Sequence, residues 1–398
     1  MAGVERVRDQ VEEWLAANWD AERPLLEWRS LLADSGWGAP AWPAECFGKG
    51  LDAAGVAQAS AAFAAVGAVG PPIGSGMTLA APTILEHGSD ELKRRLLRGI
   101  LTGEDSWCQL FSEPGNGSDL AGLTTKAERD GDEWVVSGQK VWTTGARKAA
   151  FGMLLARTDW DAPKHRGITY FALPMRQDGV EVRPLRQMNG YASFNEVFLT
   201  EARVPHANVI GDVGDGWKAA LTTLLHERGL APRAGGGHGG RGAPSGRTAR
   251  EAAEEAAAYN QTYVWYPQRA GRPDLVVGRA QESGRADDPI VRQQVAALLA
   301  FERASRWTAQ RGRHGSLGKL AGSEIARRSA AVHSALSGPH AMLADGGVVA
   351  EILVSVPGAS IAGGTDEIQH NIIGERVLGL PREPAVDVDV PFREVRRN

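Results

Sequence analysis

Between Lys126 and Val204 the apolar residues come in short runs: Trp134-Val135-Val136, Val141-Trp142, Met153-Leu154-Leu155, Ile168-Thr169-Tyr170-Phe171 and Val197-Phe198-Leu199. They are cut by the turn formers Asp130-Gly131-Asp132, Ser137-Gly138 and Asp178-Gly179. That spacing predicts a small antiparallel barrel or sandwich. On both sides of it the apolar period lengthens to three and four residues. Before it, Val4, Val7, Val11, Trp14 and Leu15 share a helical face, and the Ala-rich run from Ala53 to Ala68 favours helix. Ser89-Asp90-Glu91 offers an N-cap and an acidic first turn for a further helix running to Leu97. After it, Trp217 to Arg228, Pro289 to Gln310, Ser316 to Leu336 and Thr365 to Leu378 read as helices. The chain is therefore expected to be an α+β multidomain protein. An N-terminal α-helical bundle takes residues 1–108, a central β domain 109–211, and a C-terminal helical bundle 212–398, with a Gly-rich linker at about 235–246.

Composition narrows the partners. Forty-four Lys and Arg against 48 Asp and Glu give a net charge of −4, with no basic surface suited to phosphate backbones, so nucleic acid is not expected. No eighteen consecutive residues are apolar, and the first fourteen carry charges throughout, so neither a membrane span nor a secretion signal is expected. Cys46 and Cys108 are the only cysteines, which suits a reducing, cytoplasmic compartment. The nine histidines form no ligand cluster, and no metal is expected. The Gly-rich run at 235–246 lacks the lysine of a phosphate-cradling loop and follows a helix.

Chemistry-bearing residues gather at the seam between the first two parts. Phe111-Ser112-Glu113-Pro114-Gly115-Asn116-Gly117-Ser118-Asp119 sets free backbone N–H groups beside small hydroxyls, a donor set suited to a planar, acceptor-rich ring. Further on, Gln139-Lys140-Val141-Trp142-Thr143-Thr144-Gly145-Ala146 puts an indole beside two hydroxyls at a strand end. Near the C-terminus, Ile361-Ala362-Gly363-Gly364-Thr365-Asp366-Glu367-Ile368-Gln369 is followed by Asn371-Ile372-Ile373-Gly374-Glu375-Arg376. These three ordered motifs resemble those of the acyl-CoA dehydrogenase family, and the resemblance spans nearly the whole chain.

The resemblance implies FAD held between the central β domain and the C-terminal helices, with an acyl-CoA thioester beside the flavin. Ser112 matches the family's flavin-bonding hydroxyl, and Ser118 lies in the Gly-Ser-Asp lining the pocket. Trp142 and Thr144 match the tryptophan and hydroxyl at the isoalloxazine. Thr365, a candidate N-cap, and Glu367 belong to the segment that approaches the FAD diphosphate and adenosine. Arg285 stands near the place of the arginine that reaches a neighbouring subunit's FAD, although the usual Phe-Gly after it is absent. The resemblance also implies a homo- or hetero-oligomer, dimer or tetramer, and an electron-transfer flavoprotein as electron acceptor.

Dehydrogenation needs a carboxylate to remove the proton α to the thioester. In much of the family it precedes the Gly-Thr of the C-terminal motif, and here that position is Gly363, whose N–H could still polarise the thioester carbonyl. Isovaleryl-type and long-chain members carry the base on the helix that opens the C-terminal domain. This sequence offers Glu227 there, with Ala220, Thr223 and Leu224 on the same face and Arg228 as a supporting charge. The expected reaction is FAD-dependent conversion of an acyl-CoA to a trans-2-enoyl-CoA. The alternatives are a same-fold flavin oxidase or monooxygenase, of the nitroalkane-oxidase or hydroxylase kind, and a subunit that completes a partner's FAD site. Tyr259, Tyr263, Trp265 and Tyr266 form an aromatic patch that could wall a pocket, line an interface or pack in the interior, and it receives no catalytic role.

Overall fold

The structure, a computed structural model, describes residues 2–229, 245–312, 315–343, 347–384 and 387–395, with the side chains of residues 2–6, 228 and 229 outside that description. Helices α1 (Ala2–Asn18), α2 (Leu25–Ser35), α3 (Ala53–Val66), α4 (Ala81–His87) and α5 (Asp90–Thr102) build the N-terminal part. The Ser89 side chain caps α5, accepting from the Leu92 N–H at 3.2 Å, and Asp52 caps α3 through the Gly55 N–H at 2.8 Å. Leu92, Leu96, Leu97, Ile100 and Leu101 form the buried stripe of α5, at the spacing that a helix requires.

Seven strands follow: β1 (Trp107–Leu110), β2 (Lys126–Asp130), β3 (Glu133–Thr144), β4 (Phe151–Arg157), β5 (Ile168–Pro174), β6 (Val180–Leu185) and β7 (Phe194–Pro205). Their order in the sheet is β1-β4-β2-β3-β7-β6, with β5 paired to β4. All five apolar runs of the sequence lie in strands. The sheet is nevertheless mixed, because β1 pairs with β4 in parallel, as does β2 at Lys126 and Arg157. β1 enters the sheet from the helical part and not through a hairpin, so nothing forces it to run antiparallel to its neighbour.

Side chains alternate across β4 and β5. Met153, Leu155, Ile168, Tyr170 and Ala172 face Leu92, Leu96, Leu97 and Ile100 of α5 together with Ala219 and Ala220 of the next helix. Leu154, Ala156, Phe171 and Leu173 face the other way, towards Trp134, Val136, Val197 and Val204. The sheet is thus covered on one side by helices from both ends of the chain.

The C-terminal part comprises α6 (Gly216–Gly229), α7 (Gly246–Asn260), α8 (Tyr266–Arg269), α9 (Val276–Glu282), α10 (Pro289–Gln310), α11 (Gly315–Ser337), α12 (Val348–Ser355), α13 (Pro357–Ile361) and α14 (Asp366–Ile372). α6, α10 and α11 fall where the sequence predicts helices. The helix expected over Thr365 to Leu378 closes as one wider turn at Ile373–Val377. α7, Ala- and Glu-rich, is docked on α2 through polar groups: Glu255 pairs with the buried Arg29 at 2.5 Å, and Glu251 accepts from the Leu25 N–H at 2.8 Å. Most of the Gly-rich stretch, residues 235–244, lies outside the described residues. The stretch Val348–Val377 is long and apolar enough, by composition alone, to cross a bilayer. It is broken by Pro357 and by Gly363 and Gly364, both at positive φ, into the separate helices α12, α13 and α14.

Candidate active site

The loop after β1 is fixed from beneath by a buried ion pair. Glu113, at the loop's start, meets the fully buried Lys140 of β3 at 2.9 Å. Its carboxylate also accepts from the Thr124 N–H at 2.7 Å, the Thr124 hydroxyl at 2.8 Å and the Thr125 N–H at 2.8 Å. Burial alone would push the Glu113 carboxyl up, but the Lys140 ammonium and the hydrogen bonds outweigh it and hold it at about 2. Lys140 also donates to the Phe111 carbonyl at 3.1 Å, and the Val141 N–H donates to the Ser112 carbonyl at 2.9 Å. Ser112 is thereby bound to the strand segment that carries Trp142 and Thr144. Sequence reasoning passed over the Glu113–Lys140 pair, since an acid among turn formers and a lysine in a strand both look like solvated surface.

Trp142 occupies an unfavourable backbone region. The β3–β7 register slips between Lys140 and Thr143, and Trp142 has φ +63°. A non-glycine residue in that region is strained by about 1–2 kcal/mol. Its indole is 56% exposed and rests edge-on against Phe194 at 5.7 Å. A strained backbone that presents a large ring to open space serves something other than the ring's own burial. Two residues on, Thr144 is half-buried and acts to lower the Tyr263 hydroxyl's pKa against the burial that raises it.

Glu227 sits half-buried near the end of α6, and its Oε2 accepts from Gln109 Nε2 of β1 at 3.3 Å. α6 is anchored below it by a threonine cluster. The Thr223 hydroxyl meets that of Thr83 at 2.8 Å and that of Tyr170 at 3.0 Å, and Thr222 meets His87 Nε2 at 2.8 Å. Burial pushes the Tyr266 hydroxyl up, and the nearby Glu227 carboxylate adds to it in the same direction. Through Gln109, which stands three residues before Ser112, Glu227 is tied to the strand that leads into the loop after β1. Gln109 is the residue here that the sequence did not single out, whereas the tyrosine segment was marked as an aromatic patch without a catalytic role.

The remaining candidates lie elsewhere. Ser118 is exposed, and its neighbour Asp119 pairs with Lys164 at 2.7 Å, which also reaches Asp387 at 3.2 Å. Arg285 is turned onto its own domain, pairing with Asp288 at 2.9 Å and donating to the Ala335 carbonyl at 2.6 Å. Thr365 caps α14 as expected, accepting from the Ile368 N–H at 3.3 Å, and Glu367 is exposed in the first turn. Asp366 beside them is buried and held between Lys319 and Arg327, both at 2.6 Å. Although burial opposes its charge, these partners keep its carboxyl well below the usual range. Gly363 has φ +68°, and no atom lies within 4 Å of where its Cβ would stand, so a longer side chain would find room but not an easy backbone. Arg228 is on α6, with its side chain outside the described residues.

The residues present fit a flavin. Ser112 and Thr144 supply hydroxyls beside an exposed, flat indole, and Gly115 and Gly117 leave the loop backbone open to an approaching ring or phosphate.

Three family models divide the chain between them: acyl-CoA dehydrogenase N-terminal domain over residues 3–104, middle domain over 108–202 and C-terminal domain over 214–378. The chain belongs to the acyl-CoA dehydrogenase family, whose members bind FAD and oxidise acyl-CoA thioesters. It is 33% identical over 412 residues to acyl-CoA dehydrogenase IpdE1 of Mycobacterium tuberculosis, covering 96% of this chain and 99% of that one. It is 39% identical over 358 residues to acyl-CoA dehydrogenase FadE34 of the same organism, covering 88% of this chain but only 46% of that longer protein. Among solved structures it is similar to the ChsE4–ChsE5 complex from Mycobacterium tuberculosis. There the TM-score is 0.61 at 27% identity, over 96% of this chain and 99% of that one.

Proposed function

We propose that this chain oxidises an acyl-CoA thioester to the trans-2-enoyl-CoA, with Glu227 as the base that removes the α-proton. FAD, when bound, supplies the acceptor for the β-hydride. The observation that carries the reading is the Gln109–Glu227 contact at 3.3 Å. Gln109 stands three residues before Ser112, so the carboxylate is tied to the strand that runs directly into the flavin-side loop. The amide N–H orients one carboxylate oxygen, and the half-buried position leaves the group accessible to a substrate. Glu113, the other acid of this region, is excluded as base: a carboxyl at about 2, saturated with hydrogen bonds, has almost no tendency to take a proton near neutral pH.

On this reading Ser112 and Thr144 hold and orient the flavin ring and Trp142 covers it, while the Gly363 N–H polarises the thioester carbonyl and Arg228 steadies the carboxylate or the CoA end. Ser118, Arg285, Thr365 and Glu367 serve the diphosphate and adenosine side once subunits are assembled. Assembly with a second chain, identical or different, is supported by the C-terminal half, where large apolar side chains stand exposed, and by the two-protein complex of the ChsE4–ChsE5 relative. Electrons pass on to an electron-transfer flavoprotein in the cytoplasm, a compartment suited to two buried, unpaired cysteines. Exposing the yellow protein to branched, long and ring-bearing acyl-CoAs without oxygen should bleach the flavin band. Bleaching by nitroalkanes instead, with rapid reoxidation by oxygen, would transfer the chain to the oxidase reading.

A further inference from the structure

The loop from Ser112 to Asp119 is pinned at its start by the Glu113–Lys140 pair, and a second set of contacts pins its far end. There the half-buried Lys164 meets the Asp119 carboxylate at 2.7 Å. The side chains of Asp119 and Asn116 close over Gly122, where a Cβ would stand 2.7 Å and 2.6 Å from their oxygens, so the loop folds back on its own end. Arg157, fully buried on β4, donates to the Ala121 carbonyl at 2.7 Å and to the Leu123 and Lys164 carbonyls, both at 3.2 Å.

Both cations are completed by a segment far along the sequence, residues 387–395, which lies against residues 160–164. The Phe392 N–H donates to the Ala162 carbonyl at 3.1 Å and the Arg393 N–H to the Trp160 carbonyl at 3.0 Å, while the Arg393 guanidinium pairs with Asp161 at 2.5 Å. Asp387 reaches Lys164 at 3.2 Å, so one ammonium sits between two carboxylates. The buried Phe392 ring covers Arg157, whose guanidinium lies 3.4 Å from the ring centre.

Resting on the reading of residues 112–119 as the flavin-side loop, we propose that the segment 387–395 is a strap that keeps this loop in its FAD-binding form, with Lys164 and Arg157 as the positioning residues through which it acts. Gly115 and Gly117 have no atom within 4 Å of a Cβ position, so the middle of the loop takes its shape from its two ends. With the strap seated, Phe392 shields the Arg157 guanidinium from water, and its hydrogen bonds to the loop-end carbonyls are strengthened. With the strap lifted, Arg157 is hydrated and its hold on Ala121 and Leu123 weakens. Removing the Lys164 charge leaves Asp119 and Asp387 to repel each other. In either case a smaller fraction of loops is competent, and the affinity for FAD falls by that fraction. The Glu113–Lys140 pin does not depend on the strap, so Ser112 keeps its place beside the ring.

The test compares the FAD-loaded wild type with Lys164→Met, Lys164→Arg and Phe392→Leu. The FAD Kd is read from the return of flavin fluorescence on serial dilution, and loop order from hydrogen exchange with and without excess FAD. Lys164→Met and Phe392→Leu should each raise the Kd roughly tenfold, the result when about one loop in ten remains competent, and should speed exchange over residues 116–123. Lys164→Arg, which keeps the charge, should restore both. At saturating FAD the flavin absorption bands should match the wild type, because the ring end has its own pin. Should Phe392→Leu fail to fold, Asp387→Asn loosens the strap from its own side and should raise the Kd in the same direction. A lower Tm with an unchanged FAD Kd would make the strap a purely structural element and overturn the proposal, although the loop would still be the cofactor's. If FAD gives residues 112–119 of the wild type no protection from exchange, the flavin-side reading itself fails and takes the proposal with it.

Discussion

Around Ser112, Trp142 and Thr144 the site is braced within the chain, whereas around Gly363, Thr365 and Glu367 it faces outward. In the first region Lys140 and Glu113 lock the loop from below, and Gln109 reaches Glu227. In the second, Ile361 and Leu378 on either side of the motif are 65% and 66% exposed, and Trp307 on α10 is 60% exposed. One strong anchor, Asp366 with Lys319 and Arg327, fixes the start of α14, while Gly363 has open space beside it and Glu367 is exposed. The contrast fits a division of labour in which one chain preorganises the ring-facing and acid–base end of the site, and assembly supplies the cover for the other end.

If the middle-domain half is braced as described, its sharpest sensitivity is to Glu113. Replacing it with alanine leaves Lys140 charged and buried without its partner, at a cost of about 3–5 kcal/mol, to be read as a fall in Tm and in the denaturant midpoint. The pH dependence has a definite sign. The folded carboxyl titrates at about 2, below its ordinary 4.5, so its stabilisation is present above that ordinary value and disappears as the pH falls through about 2. Stability that is indifferent to Glu113→Ala would remove the basis of the comparison.

Asp366→Asn should act in the other region and act less. It weakens two charge-assisted contacts at the start of α14, costing about 1.5–3 kcal/mol. The change should appear as faster hydrogen exchange over residues 360–372 with little effect near residues 107–145. Loss of protection in both regions at once would show the halves to be mechanically coupled.

The smallest effect on stability is expected at Trp142. Trp142→Gly removes about 1–2 kcal/mol of left-handed strain but also the contact with Phe194, so Tm should move little in either direction while FAD is held more weakly. A large fall in Tm would make Trp142 a packing residue and not a cofactor-facing one.

The parts of this molecule that could be read from the sequence are those whose causes are local. Ser89 and Thr365 were recognisable as caps because a hydroxyl before an acidic first turn has one common use, and both accept the expected backbone N–H. The five apolar runs marked strands because they are short, apolar and bounded by turn formers, and β4 and β5 are indeed buried on both faces. β2 escaped because its side chains are mostly exposed, and β6 because Val180 and Val182 alternate with Glu181 and Arg183 and form no apolar run. The site was legible as far as its motifs were contiguous. The Glu113–Lys140 pair and the Gln109–Glu227 contact join residues 27 and 118 positions apart, and only the tertiary fold creates them. α7 was missed for a related reason: it is fixed to α2 by Glu251 and Glu255, and so carries few apolar residues to betray its buried face.

The central claim is that Glu227 is the base, and anaerobic single-turnover reduction tests it most directly because it isolates the chemical step from reoxidation. Glu227→Gln keeps the size and the contact with Gln109 but cannot take a proton. The FAD-loaded variant, mixed with an acyl-CoA that the wild type accepts, should reduce its flavin at least roughly a hundredfold more slowly, with fold and FAD content unchanged. Reduction at the wild-type rate would place the base elsewhere and contradict the mechanism, even though the chain's place in the family would stand.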